Sequence, residues 1–366
     1  MVARKFFFKG KMMNADWKDF LSAKGAQWND AGEVTTFGLP EIERYMVKNG
    51  PVFTSLAHQA IIKVSGEEAF DFLQGQFTND LSDVTDEHAQ LSAYCDPQGK
   101  VLAVLMVFKH QDAFYLNFDG SLKDTILKRL TMFKLRSKVE LEDVSDEMIH
   151  IGYGGDFGDL DIQRLLTTKI KELYEVKTLD MDGVRDVIAV KRPGPYHCYS
   201  FFGPLASMKT VWEQLKSNGE ATNNIDWKLL QIVSGQPSVD AVTGNEFIAQ
   251  FLNLDKLDAI NFKKGCFPGQ EVIARMHYRG KATKRMLRLH LGDADAPAPG
   301  QEFVLTDDAD KKYKFTCILS APDVFEGSVC LAVTTLKPLE AVNGHLKSES
   351  GASANVEPLP YDLTEE

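Results

Sequence analysis

The longest unbroken apolar run in this 366-residue chain is Val101 to Phe108. A helix that crosses a bilayer needs roughly 20 apolar residues, so this run reads as a buried strand and no membrane partner is expected. The other segments are as short or shorter, and turn residues punctuate them. A chain of such pieces builds its cores by layering helices on sheets. At about 150 residues per domain, its length suggests two or three units. With 44% hydrophobic and 25% charged residues, those units can bury their cores without metals or disulfides.

Pro40 to Met46 has the pattern of a short helix, Ala60 to Val64 that of a strand, and Gly66 to Gln74 that of an amphipathic helix with acids in its first turn. Ala89 to Cys95 and Val101 to Phe108 flank the turn Asp96-Pro97-Gln98-Gly99 and form a hairpin. Ala113 to Phe118 adds a strand, and a helix over Ser121 to Phe133 leads into a strand over Lys138 to Leu141. Helices and antiparallel strands are mixed rather than alternating, which predicts an α+β fold. A second set follows, with a helix over Gln163 to Tyr174, a strand over Val187 to Val190 and a helix over Pro204 to Asn218. Trp227 to Val233 is helical and stops at Gly235-Gln236-Pro237. The strands Met286 to Leu291, Glu302 to Leu305, Lys312 to Leu319 and Ser328 to Thr335, with the loop Gly292 to Gly300, predict a small antiparallel barrel or sandwich.

These patterns divide the chain into an arm with a short helix (1–45), a first α+β unit (46–149 rejoined by 244–282), a second α+β unit (150–243), the barrel (283–350) and a tail (351–366). Met1 to Met13 is basic and carries Phe6-Phe7-Phe8, but it lacks a long apolar core, so it reads as a short arm rather than a secretory leader. Five dispersed cysteines, Cys95, Cys198, Cys266, Cys317 and Cys330, form no C-x-x-C pair and read as free thiols of a reducing, cytoplasmic setting. The net charge of -11 excludes a nucleic-acid glove over the whole surface.

The chemistry gathers around Cys266. Lys263, Lys264 and Gly265 precede it, a Phe267-Pro268-Gly269 turn follows, and a helix begins near Gln270. A thiol beside two lysines and a helix N-terminus favours thiolate, whereas a buried cysteine is simply a small hydrophobe. Both readings stand on the residues alone. From Lys263 to Arg288 the bases Lys263, Lys264, Arg275, Arg279, Lys281, Lys284, Arg285 and Arg288 face one acid, Glu271. That run suits a folate tail, a phosphate or an RNA backbone, or is a solvated face paired with acids elsewhere.

The run Asn261 to Glu271, with Ala274-Arg275 and Tyr278-Arg279-Gly280, closely resembles the signature of the YgfZ family, Lys-Gly-Cys, an aromatic, one free position, then Gly-Gln-Glu. Gln74 to Asp80, Cys95 to Lys100, Phe247 to Leu254 and Glu357 to Tyr361 resemble the same family. The resemblance implies three domains in a ring, as in the glycine-cleavage T-protein, with tetrahydrofolate or a derivative bound near the centre by the first domain. It also implies an accessory role in iron-sulfur cluster assembly or repair, with iron-sulfur enzymes, tRNA-modifying ones included, or assembly factors as partners.

Carried over residue by residue, the resemblance makes Cys266 the functional thiol and assigns folate contacts to Trp227, Lys264, Gln270, Glu271, Arg275, Tyr278 and Arg279. No metal site is expected. A second family tryptophan falls near Gln59, the aminomethyltransferase carboxylate falls among the apolar Val101 to Val104, and a family glutamate falls at Val233. The alternatives to the accessory role are a folate-dependent one-carbon transferase or demethylase, and direct tRNA binding by the basic run.

Overall fold

The computed structural model describes residues 13–30, 32–280, 282–292, 295–336 and 345–363. The expected arm lies outside them except for Met13, as do Lys281 of the basic run and two residues of the loop at 292–300.

Val101–His110 occupies the interior of a five-stranded sheet whose order is Gln90–Cys95, Val101–His110, Ala113–Asp119, Gln59–Ser65, Glu140–Asp143. Val101, Ala103 and Leu105 to Phe108 are buried there, and each large apolar side chain so placed contributes about 1.5–3 kcal/mol. The hairpin turn forms as its residues dictate. Asp96 Oδ1 accepts the N–H groups of Gln98 and Lys100, both at 2.9 Å, and Gly99 takes φ +78°. The helix Lys123–Lys134 contributes Ile126 and Leu130 to the same core. The strand expected over Lys138 to Leu141 lies instead at Glu140–Asp143, because Ser137 to Val139 are held in turn hydrogen bonds.

A six-stranded sheet runs in the order Val176–Met181, Val184–Arg192, His197–Pro204, Met148–Gly155, Val52–Ser55, Glu220–Ala221. On it pack the helices Ala15–Ser22, Gly158–Leu166 and Leu205–Lys216, around Trp212, whose ring meets Trp17 at 5.7 Å and Phe53 at 4.7 Å. Trp17 Nε1 donates to Ser55 Oγ at 2.9 Å. Residues from 1–45 and the strand Val52–Ser55 thus join the second unit's sheet and core. The helix expected over Gln163 to Tyr174 is instead Gly158–Leu166. Thr167 turns left-handed at φ +51° and ends it, although the apolar spacing Ile162, Leu166, Ile170 runs on through the break.

Lys284–Leu291, Ser328–Thr335, Lys312–Pro322, Glu302–Thr306, His345–Lys347 and Ser353–Glu357 close into a barrel. The last strand pairs Arg288 with Glu357 and Leu291 with Ala354, which removes the sheet edges. This closing strand lies within the segment read as tail. The helix Asn224–Val233 joins the parts: Trp227, Leu229, Leu230 and Ile232 share one core with residues of the first sheet and with Ile318, Leu319 and Leu331 of the barrel. The architecture is α+β with a C-terminal antiparallel barrel.

Candidate functional site

Segments far apart in sequence converge on the Cys266 loop. Lys264 is buried, and its Nζ donates to the carbonyl oxygens of Gln74, Phe77 and Asn79 at 2.7, 2.8 and 2.8 Å. Burial pushes its pKa down to about 8, with nearby Asp80 opposing the shift. Gly269 sits at φ +84°, and a Cβ there would come within 2.6 Å of Asp96 O and Gly99 Cα, so the loop seats directly on the hairpin turn. Gln250 Nε2 donates to Ile273 O at 2.7 Å in the helix Gln270–Arg279 that follows. Held this way, Cys266 is exposed, which removes the reading as a buried hydrophobe. The other four cysteines are buried and no disulfide links them. Burial pushes the Cys198 and Cys317 thiols up to about 12 and raises those of Cys95 and Cys330 as well.

The same loop walls a cavity of about 1390 Å³ between the two α+β units. Asn261, Phe262 and Lys263 line it, with His277 and Tyr278 from the following helix. The Phe262 and His277 rings stack at 3.7 Å, and Tyr278 meets His277 edge-on at 4.7 Å. Among the other lining residues, Gln90 is buried with neither its amide nitrogen nor its amide oxygen partnered. Arg192, the last residue of the strand Val184–Arg192, lines the cavity as well. Its Nε is sealed from solvent without a partner, and its Nη1 donates to the thioether of Met106 at 3.1 Å. Burial lowers the Arg192 pKa, while Tyr174 and Cys198 act to raise it.

Behind Arg192 lies a second space of about 40 Å³, lined by Gln59, His150, Cys198 and Trp227. Trp227 and Gln59, near which the second family tryptophan falls, thus line one cavity. It holds about three waters, so a pterin enters only if the wall opens. The Trp227 ring packs against Gly152, where a Cβ would lie 2.4 Å from Cζ2. Gln270 is half-buried, with its Nε2 3.5 Å from Lys264 O. Glu271, Arg275 and Arg279 are exposed on the helix and line neither cavity. Within the basic run, Arg285 makes a bidentate pair with Asp255 at 2.6 and 2.9 Å, and Arg288 meets Glu357 and Val233 O, each at 2.9 Å. Lys263, Arg275, Arg279 and Lys284 remain at the surface.

Residues 10–224 match the family described as the GCVT N-terminal domain. The tRNA-modifying protein YgfZ of Enterobacter sp. (strain 638) is 31% identical over 313 residues, spanning 85% of this chain and 93% of that protein. The chain belongs to the YgfZ family. The protein of the same name from Escherichia coli O157:H7 is 30% identical over 84% of this chain and 92% of its own length. Among solved structures, the glycine cleavage system aminomethyltransferase T from Bartonella henselae shares the fold, with a TM-score of 0.77 over 96% of this chain and 97% of that one, at 14% identity.

In this YgfZ-family chain, sequence reasoning passed over Gln90, His150, Tyr174 and Arg192. Two of them left a trace. Gln90 is a polar residue opening an apolar strand, and Arg192 is a charge ending one before Pro193-Gly194.

Proposed function

We propose that this YgfZ-family protein binds tetrahydrofolate or a derivative in the 1390 Å³ cavity and serves as an accessory protein in iron-sulfur cluster assembly or repair, with Cys266 as its contact group. One observation carries the reading: a single clamped loop lines the cavity with Asn261, Phe262 and Lys263 and exposes the Cys266 thiol a few residues on. The residues present suit a folate. The rings of Phe262, His277 and Tyr278 offer faces and edges to a flat heterocycle, and the unpartnered Gln90 amide offers a donor and an acceptor to a pterin edge. Bound tetrahydrofolate would supply one-carbon carrier chemistry. Leu102, Ala103 and Val104 offer no carboxylate to activate it, which favours the accessory role over transferase or demethylase activity.

The relatives' names concern tRNA modification. In this reading the link runs through iron-sulfur client enzymes in a cytoplasmic, reducing setting, where an exposed thiol stays reduced. Among the described residues no helix is long and apolar enough to cross a membrane. Calorimetric titration of the full chain with 5-formyltetrahydrofolate tests the ligand, with saturable binding expected. Cys266→Ala, expressed in a bacterial strain lacking its own relative, should fail to restore iron-sulfur enzyme activity. Full rescue would remove the thiol's role. Filter binding of tRNA with a steep salt dependence would instead favour direct contact by the basic run.

A further inference from the structure

A guanidinium whose Nε is sealed from solvent needs acceptors. Arg192 carries five N–H donors, and among the described residues its one hydrogen bond is to Met106 Sδ, a weak acceptor. Its Nε is sealed from solvent, so bulk water does not satisfy it. Arg285 shows how this fold treats an arginine that it buries for structure, since it meets a carboxylate with both terminal nitrogens. Arg192 meets none. Of the other charged groups lining this cavity, Lys191 pairs with Asp159, Lys256 and Lys263 add positive charge, and Asp83 and Asp258 form no ion pair with Arg192.

The position of Arg192 is fixed. Its backbone pairs with Cys198 across the hairpin. Gly194 lets the turn close over Cys198, because a Cβ there would fall 2.2 Å from Sγ. Tyr196 OH donates to Lys48 O at 3.0 Å and ties the loop down. Arg192 lines both the large cavity and the small one behind it. In the small one, His150 Nε2 lies 3.0 Å from Ser200 Oγ while its Nδ1 has no partner. Burial, then Arg192 and His58, hold the His150 pKa well below its usual value, so the ring is neutral. Arg192 Nε and His150 Nδ1, two buried nitrogens without partners, thus belong to residues that line the small cavity.

We propose that Arg192 is the anion-binding residue of the central cavity, taking an oxyanion, carboxylate or phosphate, of the ligand that fills it. This deepens the folate reading by naming the group that is recognised, a glutamate carboxylate in that case, yet an oxyanion on Arg192 stands without folate.

The experiment uses the full chain and Arg192→Met, which keeps the apolar stem of the side chain and removes the guanidinium and its charge. Thermal midpoints are followed against glutarate and inorganic phosphate, with chloride at matched ionic strength as control. Affinities for 5-formyltetrahydrofolate and for its counterpart lacking glutamate are measured on both proteins. Expected are a saturable rise of the wild-type midpoint with glutarate or phosphate, absent in Arg192→Met, and at least a tenfold loss of folate affinity. Binding of the glutamate-free compound should change less than twofold. Which anion acts separates a carboxylate ligand from a phosphate ligand. Absence of any anion response, or an equal response in the variant, overturns the proposal. If Arg192→Met does not fold, Arg192→Lys carries the same test, because an ammonium keeps the charge without the fork. Folate that binds both proteins equally removes this inference and leaves the folate reading. An anion response through Arg192 without folate binding does the reverse.

Discussion

Lys264 and Cys266 stand two positions apart and serve opposite ends. Lys264 is an internal clamp, so Lys264→Met leaves three carbonyl oxygens without their donor. At roughly 1 kcal/mol for each lost partner, the variant should be about 3 kcal/mol less stable in urea unfolding. A loss under about 0.5 kcal/mol, the scatter of neutral surface changes, would mean that the clamp holds nothing. Its pH dependence has a definite sign. The folded pKa near 8 lies below the ordinary 10.5, so between those values the unfolded chain holds a proton that the folded chain has released. The contribution of Lys264 to stability therefore rises from pH 8 to 10.5, and the gap to Lys264→Met widens. A narrowing gap would show that the three carbonyls favour the ammonium more than burial opposes it. Cys266 is exposed, so Cys266→Ala should shift stability by less than about 0.5 kcal/mol while abolishing function in cells. A variant that loses stability as well would return the residue to a structural role.

The element that matters most is the turn before the helix Gln270–Arg279, where two glycine turns touch. Gly269→Ala forces a side chain into the left-handed region, worth about 1–2 kcal/mol, and drives a Cβ against Asp96 O and Gly99 Cα. We expect a loss of at least about 2 kcal/mol, with faster amide exchange at Gln98 to Lys100. Unchanged exchange there would show that the loop does not depend on the hairpin. Much of this element was legible in the sequence, because Pro-Gly pairs and Asx residues fix turns locally and the Lys-Gly-Cys signature needs no fold to be recognised. The helix Gly158–Leu166 was not, since its apolar spacing runs past the left-handed Thr167. That Gln90 and Arg192 lack partners was invisible for another reason. Whether a polar atom has a partner is a property of the assembled cavity, not of its neighbours in sequence. The exposure of Cys266 likewise belongs to the seating of the whole loop, and the packing of Trp227 on Gly152 joins two segments that no local pattern connects.

At the scale of the molecule, barrel and site are joined through Arg285. It pairs with Asp255, and its Nη1 also donates to Gln250 O at 2.8 Å, while the Gln250 side chain holds Ile273 in the helix beside Cys266. Asn253 Nδ2 adds a bond to Met286 O, and Tyr361, which lines the large cavity, donates to Gly235 O. Both members of the Arg285–Asp255 pair are nearly sealed from solvent. Breaking such a pair from one side strands a charge and costs about 3–5 kcal/mol, whereas replacing both partners with apolar groups of similar volume is often close to neutral. Arg285→Met should therefore be strongly destabilised in urea unfolding, and Arg285→Met combined with Asp255→Leu should recover most of the loss. The Gln250 carbonyl still lacks its donor in the double variant, so about 1 kcal/mol should remain unrecovered. A double variant as unstable as the sum of its singles would show that the pair is not the joint. Recovery of stability without recovery of function in cells would show that the ion pair orients the Cys266 helix as well as holding the barrel to it.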